Sequence, residues 1–308
     1  MSGKEAPSSR NIPEPIQRIV RQRCGFGCVM CGLPLYEYEH LLGWANVKRH
    51  VAEEITLLCD RHHREKTAGL LPVDRVEEAN RRPFNFRTGV SKPYTLYYEG
   101  NQCEILLGTC PFTIRDYGAG TISIPFMIDR IATLGFTLVD GHLLLNLHLF
   151  DEDDNLLLRI ANNQLVYSAY SWDIRLVRRT LTIRTGKGKY LLDIQFDPPN
   201  KVVVRRGRFT RNGVELLVMP DYLMIVNNRT LLNNVGFDDF PVAIAIGKPR
   251  PSLGVALYAA DVPRPVADRS GALRWARERI KESKSRTSPG SAGPEGGRRP
   301  PAGPALKW

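Results

Sequence analysis

Cys28 and Cys31 form a CxxC pair, and Cys59 and His62 repeat that spacing further along as CxxH. Ligands two residues apart are how a tight knuckle presents two side chains to one metal, and two knuckles supply the four donors that tetrahedral Zn²⁺ takes. Gly25, Gly27 and Gly32 surround the first pair and give its turn the backbone freedom it needs. The set is expected to hold a structural zinc; the plainer alternative is unrelated buried thiols. A CxxC pair in a cytosolic chain points to metal or redox chemistry before it points to a disulfide framework. Cys24, one turn upstream, is expected to be a core thiol. Cys103 and Cys110 have no ligand pattern around them and are expected to be small buried apolar residues.

Glu39-His40 lies between the knuckles, and His63 directly follows the last zinc-type ligand. Hydrolysing a phosphodiester requires a base for the attacking water and a cation to offset charge on the phosphate. Histidine can be neutral and basic near pH 7. Adjacent histidines on a helix do not easily face one metal, which argues for two sites. The matched spacing favours His62 for the zinc, with His63 as the alternative fourth ligand.

The runs CVMCGLPLYEYEHLLGW and ITLLCDRHHREKT resemble the HNH endonuclease family over roughly residues 10–85. The shared pattern is a CxxC, an acidic-His dipeptide on a strand, an apolar strand ending in LC, and a second knuckle whose last ligand is followed by His and then Lys. The resemblance implies a ββα-metal fold, a two-stranded hairpin packed on a helix. It implies that His40 is the general base and that Glu39 and His63 ligate one catalytic Mg²⁺ or Mn²⁺, separate from the zinc. Oxygen-rich coordination with one imidazole suits those ions.

Two positions depart from the family. Glu39 stands where Asp is usual, one methylene longer and tolerable for a ligand. Glu54 stands where the family's central Asn is expected, and an ionised Glu accepts hydrogen bonds but does not donate them. His50 is a candidate to replace that Asn or to contact phosphate. Lys66, three residues after His63, shares its helical face, although a solvated lysine is the default. The expected function is a metal-dependent HNH-type endonuclease acting on nucleic acid, with double-stranded DNA as the partner. The alternatives are a degenerate HNH module that binds nucleic acid without cutting, and an interaction protein whose zinc knuckle is purely structural.

These residues need elements to hold them. Ile16, Ile19 and Val20 recur at helical spacing after Pro13 and Pro15, YEYEHLL and ITLLC read as short strands, and DRHHREKT begins a helix with Asp60 as N-cap. Another helix is expected from Val73 to Arg82, stopped by Pro83. Beyond about residue 95 the character changes to strand-like runs separated by DEDDN, TGKGK, DPPN and RNG. Strand-plus-turn units recur about every 20 residues there, which admits a β-solenoid as well as a sandwich. In this region His142 and His148 are expected to be core or edge histidines and Trp172 a core anchor. The Arg pairs at 178–179 and 205–206 could form a basic stripe, or simply be solvated charge. Such a region suggests a sensor, targeting or oligomerisation module, and by analogy alone bacterial defence against foreign DNA.

The fold class is therefore α+β: a zinc-stapled ββα-metal domain over residues 10–90, an all-β solenoid or sandwich over 95–260, and a basic helix with a disordered tail over 270–308. The net charge of +11 and pI near 9.5 favour a polyanionic partner, though anionic membranes attract the same charge and part of the excess lies in the tail. No apolar run approaches the ~20 residues of a membrane span, and the polar start MSGKEAPSSR is unlike a secretory signal. A cytoplasmic protein is expected.

Overall fold

The computed structural model describes residues 10–118, 120–166 and 172–287. The N-terminal region is built from α1 (Glu14–Arg23), β1 (Glu37–His40), α2 (Trp44–Val47), β2 (Ile55–Leu58), α3 (Asp60–Thr67), α4 (Val73–Arg81) and α5 (Phe84–Thr88). Pro13 and Pro15 set the start of α1, with Glu14 in its first turn and Arg21 and Arg23 in its last, the charge order that the helix dipole favours. Val20 is buried and Ile16 packs beside it, but Ile19 turns outward.

β1 and β2 pair antiparallel with His40 opposite Ile55 and Glu39 opposite Thr56. All four β2 residues are buried, because α1 and α3 both pack against this strand. α1 also clamps the loop before β2: Arg23 donates to the carbonyls of Ala52, at 2.8 Å, and of Ile55. The α3 boundaries match the sequence expectation, but Cys59 is the N-cap and Asp60 the first helical residue. The Asp60 carboxylate accepts from Arg64 at 2.6 Å instead of capping the helix.

The remaining strands form two large sheets. In the first, Thr121–Ile128, Ile131–Val139, His142–Phe150, Leu156–Ala161 and Gln164–Val166 make an antiparallel meander. Val242–Ile246 and Val255–Ala259 extend it in parallel from the Thr121–Ile128 edge. In the second, seven successive strands from Asp173–Val177 to Thr230–Leu232 form another meander. The inner faces share one apolar core, where Phe126 of the first sheet lies 4.9 Å from Phe209 of the second. This is a sandwich. The spacing that admitted a solenoid comes from successive antiparallel hairpins, such as the one turned by Asn212 and Gly213, both at positive φ. Strict alternation in His142–Phe150 sends four leucines inward and leaves His142 and His148 half-buried on the other face.

Trp172 departs from its sequence expectation, and two packing contacts had no sequence signal. The basic helix α6 (Arg269–Thr287) is packed on the second sheet: Ala272, Ala276 and Ile280 lie on Leu217, Tyr222, Met224 and Val226. The tail beyond it lies outside the described residues. Trp172 is only half-buried and stacks under the Arg18 guanidinium at 4.4 Å, so it anchors α1 and not the core. The N-terminal region is docked on the sandwich through a buried ion pair. Arg21, fully buried, donates from Nε and Nη2 to the two oxygens of Asp173 at 2.8 and 2.9 Å. Burial opposes that charge, but Asp173 and Tyr38 outweigh it and hold the Arg21 pKa above its ordinary value.

Candidate metal centre and adjoining histidine site

The first knuckle is fastened to the hairpin by its backbone. Cys28 N–H donates to Leu33 at 2.9 Å, Gly32 N–H to Cys28 at 2.7 Å, and Val29 N–H to Leu57 of β2 at 3.0 Å. Gly32 has φ +76°, and a Cβ there would run into Asn85 and Phe84 of α5, so glycine is required on two counts. The second knuckle is the β2–α3 junction itself, with His62 one turn into the helix.

These elements bring Cys28, Cys31, Cys59 and His62 together, with all ligand atoms within 4.8 Å of one another. Cys31 Sγ lies 3.8 Å from Cys59 Sγ, and His62 Nδ1 lies 3.5 Å from Cys28 Sγ and 3.1 Å from Cys59 Sγ. Arms of about 2.0–2.3 Å at tetrahedral angles give edges of roughly 3.4–3.8 Å, so the donor set fits one metal ion. Hydrogen bonding from Cys28 draws the Cys31 pKa down to about 5, while the same contact and then burial push Cys28 up. Cys24, Cys103 and Cys110 are buried thiols, as expected, and Cys24 Sγ lies 3.7 Å from the Asn80 side-chain oxygen.

Successive helical residues point about 100° apart, and α3 uses this to serve two places. His62 faces the sulfurs; His63 faces β1. His63 Nε2 lies 3.0 Å from Glu39 Oε2, and His63 Nδ1 lies 3.7 Å from Glu37 Oε2. Lys66, one turn on, reaches the other Glu39 oxygen at 2.5 Å and the His40 carbonyl at 3.3 Å. Its side chain is only 9% exposed, so the solvated-lysine expectation does not hold. The i,i+3 spacing to His63 was the signal. Glu37 and Trp44 had no such signal.

His40, 6% exposed, is the last residue of β1. Its Nε2 lies 3.3 Å from His50 Nδ1. Trp44 stacks on His50 at 4.7 Å, nearly parallel, and lies 5.1 Å from His40. Burial and then His50 lower the His40 pKa below its ordinary value, which favours the neutral ring. His50 thus stands beside His40. Glu54 instead directs its side chain to Arg49, whose Nε donates to it at 3.0 Å, and that hydrogen bond holds the carboxyl pKa down. The Glu54 backbone still supports the loop, since its carbonyl accepts from Leu41 N–H at 2.9 Å.

Compared with protein-family models, with curated proteins and with solved structures, the chain matches none. No described helix is long and apolar enough to cross a membrane.

Proposed function

We infer that the N-terminal region is an HNH-type, metal-dependent endonuclease module acting on double-stranded DNA, stapled by zinc at Cys28, Cys31, Cys59 and His62. The observation that carries this reading is the contact of Glu39 with His63 at 3.0 Å, set on the stapled hairpin and helix with His40 on the adjoining position. Three thiols and one imidazole are a donor set suited to zinc. Glu39 and His63 would hold a Mg²⁺ or Mn²⁺ ion, which when bound offsets negative charge on the scissile phosphate. His40, neutral through its burial, accepts the proton of the attacking water, and His50 and Trp44 fix its ring. The Lys66 ammonium orients the Glu39 carboxylate and adds positive charge beside the phosphate.

A second reading has its own support. Glu39 is already satisfied by Lys66 and His63, and Glu54 is turned to Arg49, an arrangement that suits a module binding DNA without cutting it. Supercoiled plasmid incubated with the full chain and Mg²⁺ or Mn²⁺ separates the two. Nicking is expected, lost in His40→Ala by at least ~100-fold with zinc content and DNA affinity unchanged. Plasmid left intact under every divalent metal, or a His40→Ala protein as active as its parent, would establish the binding-only module or a different base.

A further inference from the structure

The second sheet carries a cluster of cations that the N-terminal site does not use. Arg184 and Tyr190 face each other across the hairpin Thr180–Gly186/Lys189–Asp197. The Arg184 guanidinium lies 4.5 Å from the Tyr190 ring centre and donates to a tyrosine hydroxyl, that of Tyr190, at 2.9 Å. Arg206, one strand further, covers the same ring at 5.4 Å. Lys187, in the turn, and Lys189, the first residue of the second strand, flank them and are exposed. None of these four cations forms an ion pair among the described residues, whereas the neighbouring Arg205 and Arg179 are neutralised by Asp193 at 2.6 Å and Asp197 at 3.0 Å.

The cluster also has a defined place in the molecule. Arg184 is the register partner of Asp173, and register partners project from the same face. Asp173 is the residue that receives Arg21 from α1, so the cluster lies on the face where the N-terminal region docks. The Asp173 charge is consumed by Arg21 and does not cancel the cluster.

From this arrangement we propose that the Arg184–Tyr190–Arg206 cluster, with Lys187 and Lys189, binds the phosphate backbone of duplex DNA and holds it against the second sheet beside the N-terminal region. Unpaired guanidiniums pre-oriented by an aromatic ring lose little freedom on meeting phosphate. The Arg184 and Arg206 guanidiniums lie 4.5 and 5.4 Å from the same ring centre, close enough to each other to meet neighbouring phosphates of one strand. Tyr190 is already engaged by two guanidiniums, which favours backbone contact over the base stacking that single strands require. The proposal takes its partner class from the nuclease reading but concerns binding alone.

The test measures anisotropy of a fluorescein-labelled mixed-sequence duplex with the full chain, without added divalent metal, between about 50 and 200 mM salt. Arg184→Ala/Arg206→Ala is expected to bind at least about tenfold more weakly and to reduce the slope of log K against log salt by about 2, one for each lost phosphate contact. Arg184→Lys/Arg206→Lys, which keeps both charges, is expected to retain the slope. Zinc content and circular dichroism identify any variant that fails to fold, and the Lys variant then carries the comparison with a Lys187→Ala/Lys189→Ala protein. An unchanged slope in the alanine variants overturns the proposal. So does a parent chain that binds single-stranded RNA or phosphatidylserine vesicles and not the duplex. Plasmid left uncut together with a reduced slope refutes the nuclease reading and leaves this one standing.

Discussion

Replacing Asp173 with alanine tests how the N-terminal region is held to the sandwich. Arg21 has no exposed side-chain surface, and Asp173 receives two of its hydrogen bonds, at 2.8 and 2.9 Å. Removing one partner of a buried ion pair costs about 3–5 kcal/mol, because the remaining charge stays buried without compensation. Arg21 keeps the Tyr38 hydroxyl at 2.6 Å and Glu14 at 2.9 Å, which places Asp173→Ala at the low end, about 3 kcal/mol. Asp173→Asn retains an acceptor for the guanidinium and is expected to cost about 1–2 kcal/mol. Replacing both partners with apolar residues, Arg21→Met/Asp173→Leu, removes the desolvation penalty with the charges and is expected to fall within about 1 kcal/mol of the parent. Urea denaturation at fixed zinc concentration reads all three, and the slopes show whether the two regions unfold together. An Asp173→Ala protein within about 0.5 kcal/mol of the parent would falsify the buried pair as the docking contact.

Purified protein is expected to carry about one tightly held zinc; Cys59→Ser should release it and unfold the N-terminal region, whereas His63→Ala should leave it in place. Metal-free protein that stays folded by circular dichroism would remove the staple. Lys66→Met should lower the Mg²⁺ concentration needed for half-maximal cleavage. A +1 and a +2 charge about 5 Å apart in a water-like dielectric repel by roughly 1.7 kcal/mol, a factor of about fifteen, and an unchanged Mg²⁺ requirement would place the metal away from Glu39.

The zinc-type ligands and both hairpin strands were legible in the chain because local rules govern them. CxxC and CxxH spacing is set by knuckle geometry within a few residues, and α3 appears at Asp60–Thr67 where its pattern begins. The strand-like runs and their turn signals marked the β region, but strand-plus-turn units recur alike in a solenoid and in a sandwich, so the sequence left that choice open. The pairing of distant strands, such as Val242–Ile246 against Thr121–Ile128, closed it.

Partner choice at the candidate site was equally beyond local rules. The sequence determined that the adjacent His62 and His63 do not easily serve one metal. Only the tertiary structure decided that Lys66 closes on Glu39, that His50 and Trp44 enclose His40, and that Glu54 turns to Arg49. Each of these choices depends on how a loop folds back over a strand, and many loop paths are compatible with the same residues. The pairing of Arg21 with Asp173, 152 positions apart, is the extreme case: a buried charge finds its partner through the packing of whole elements, which no short-range pattern encodes.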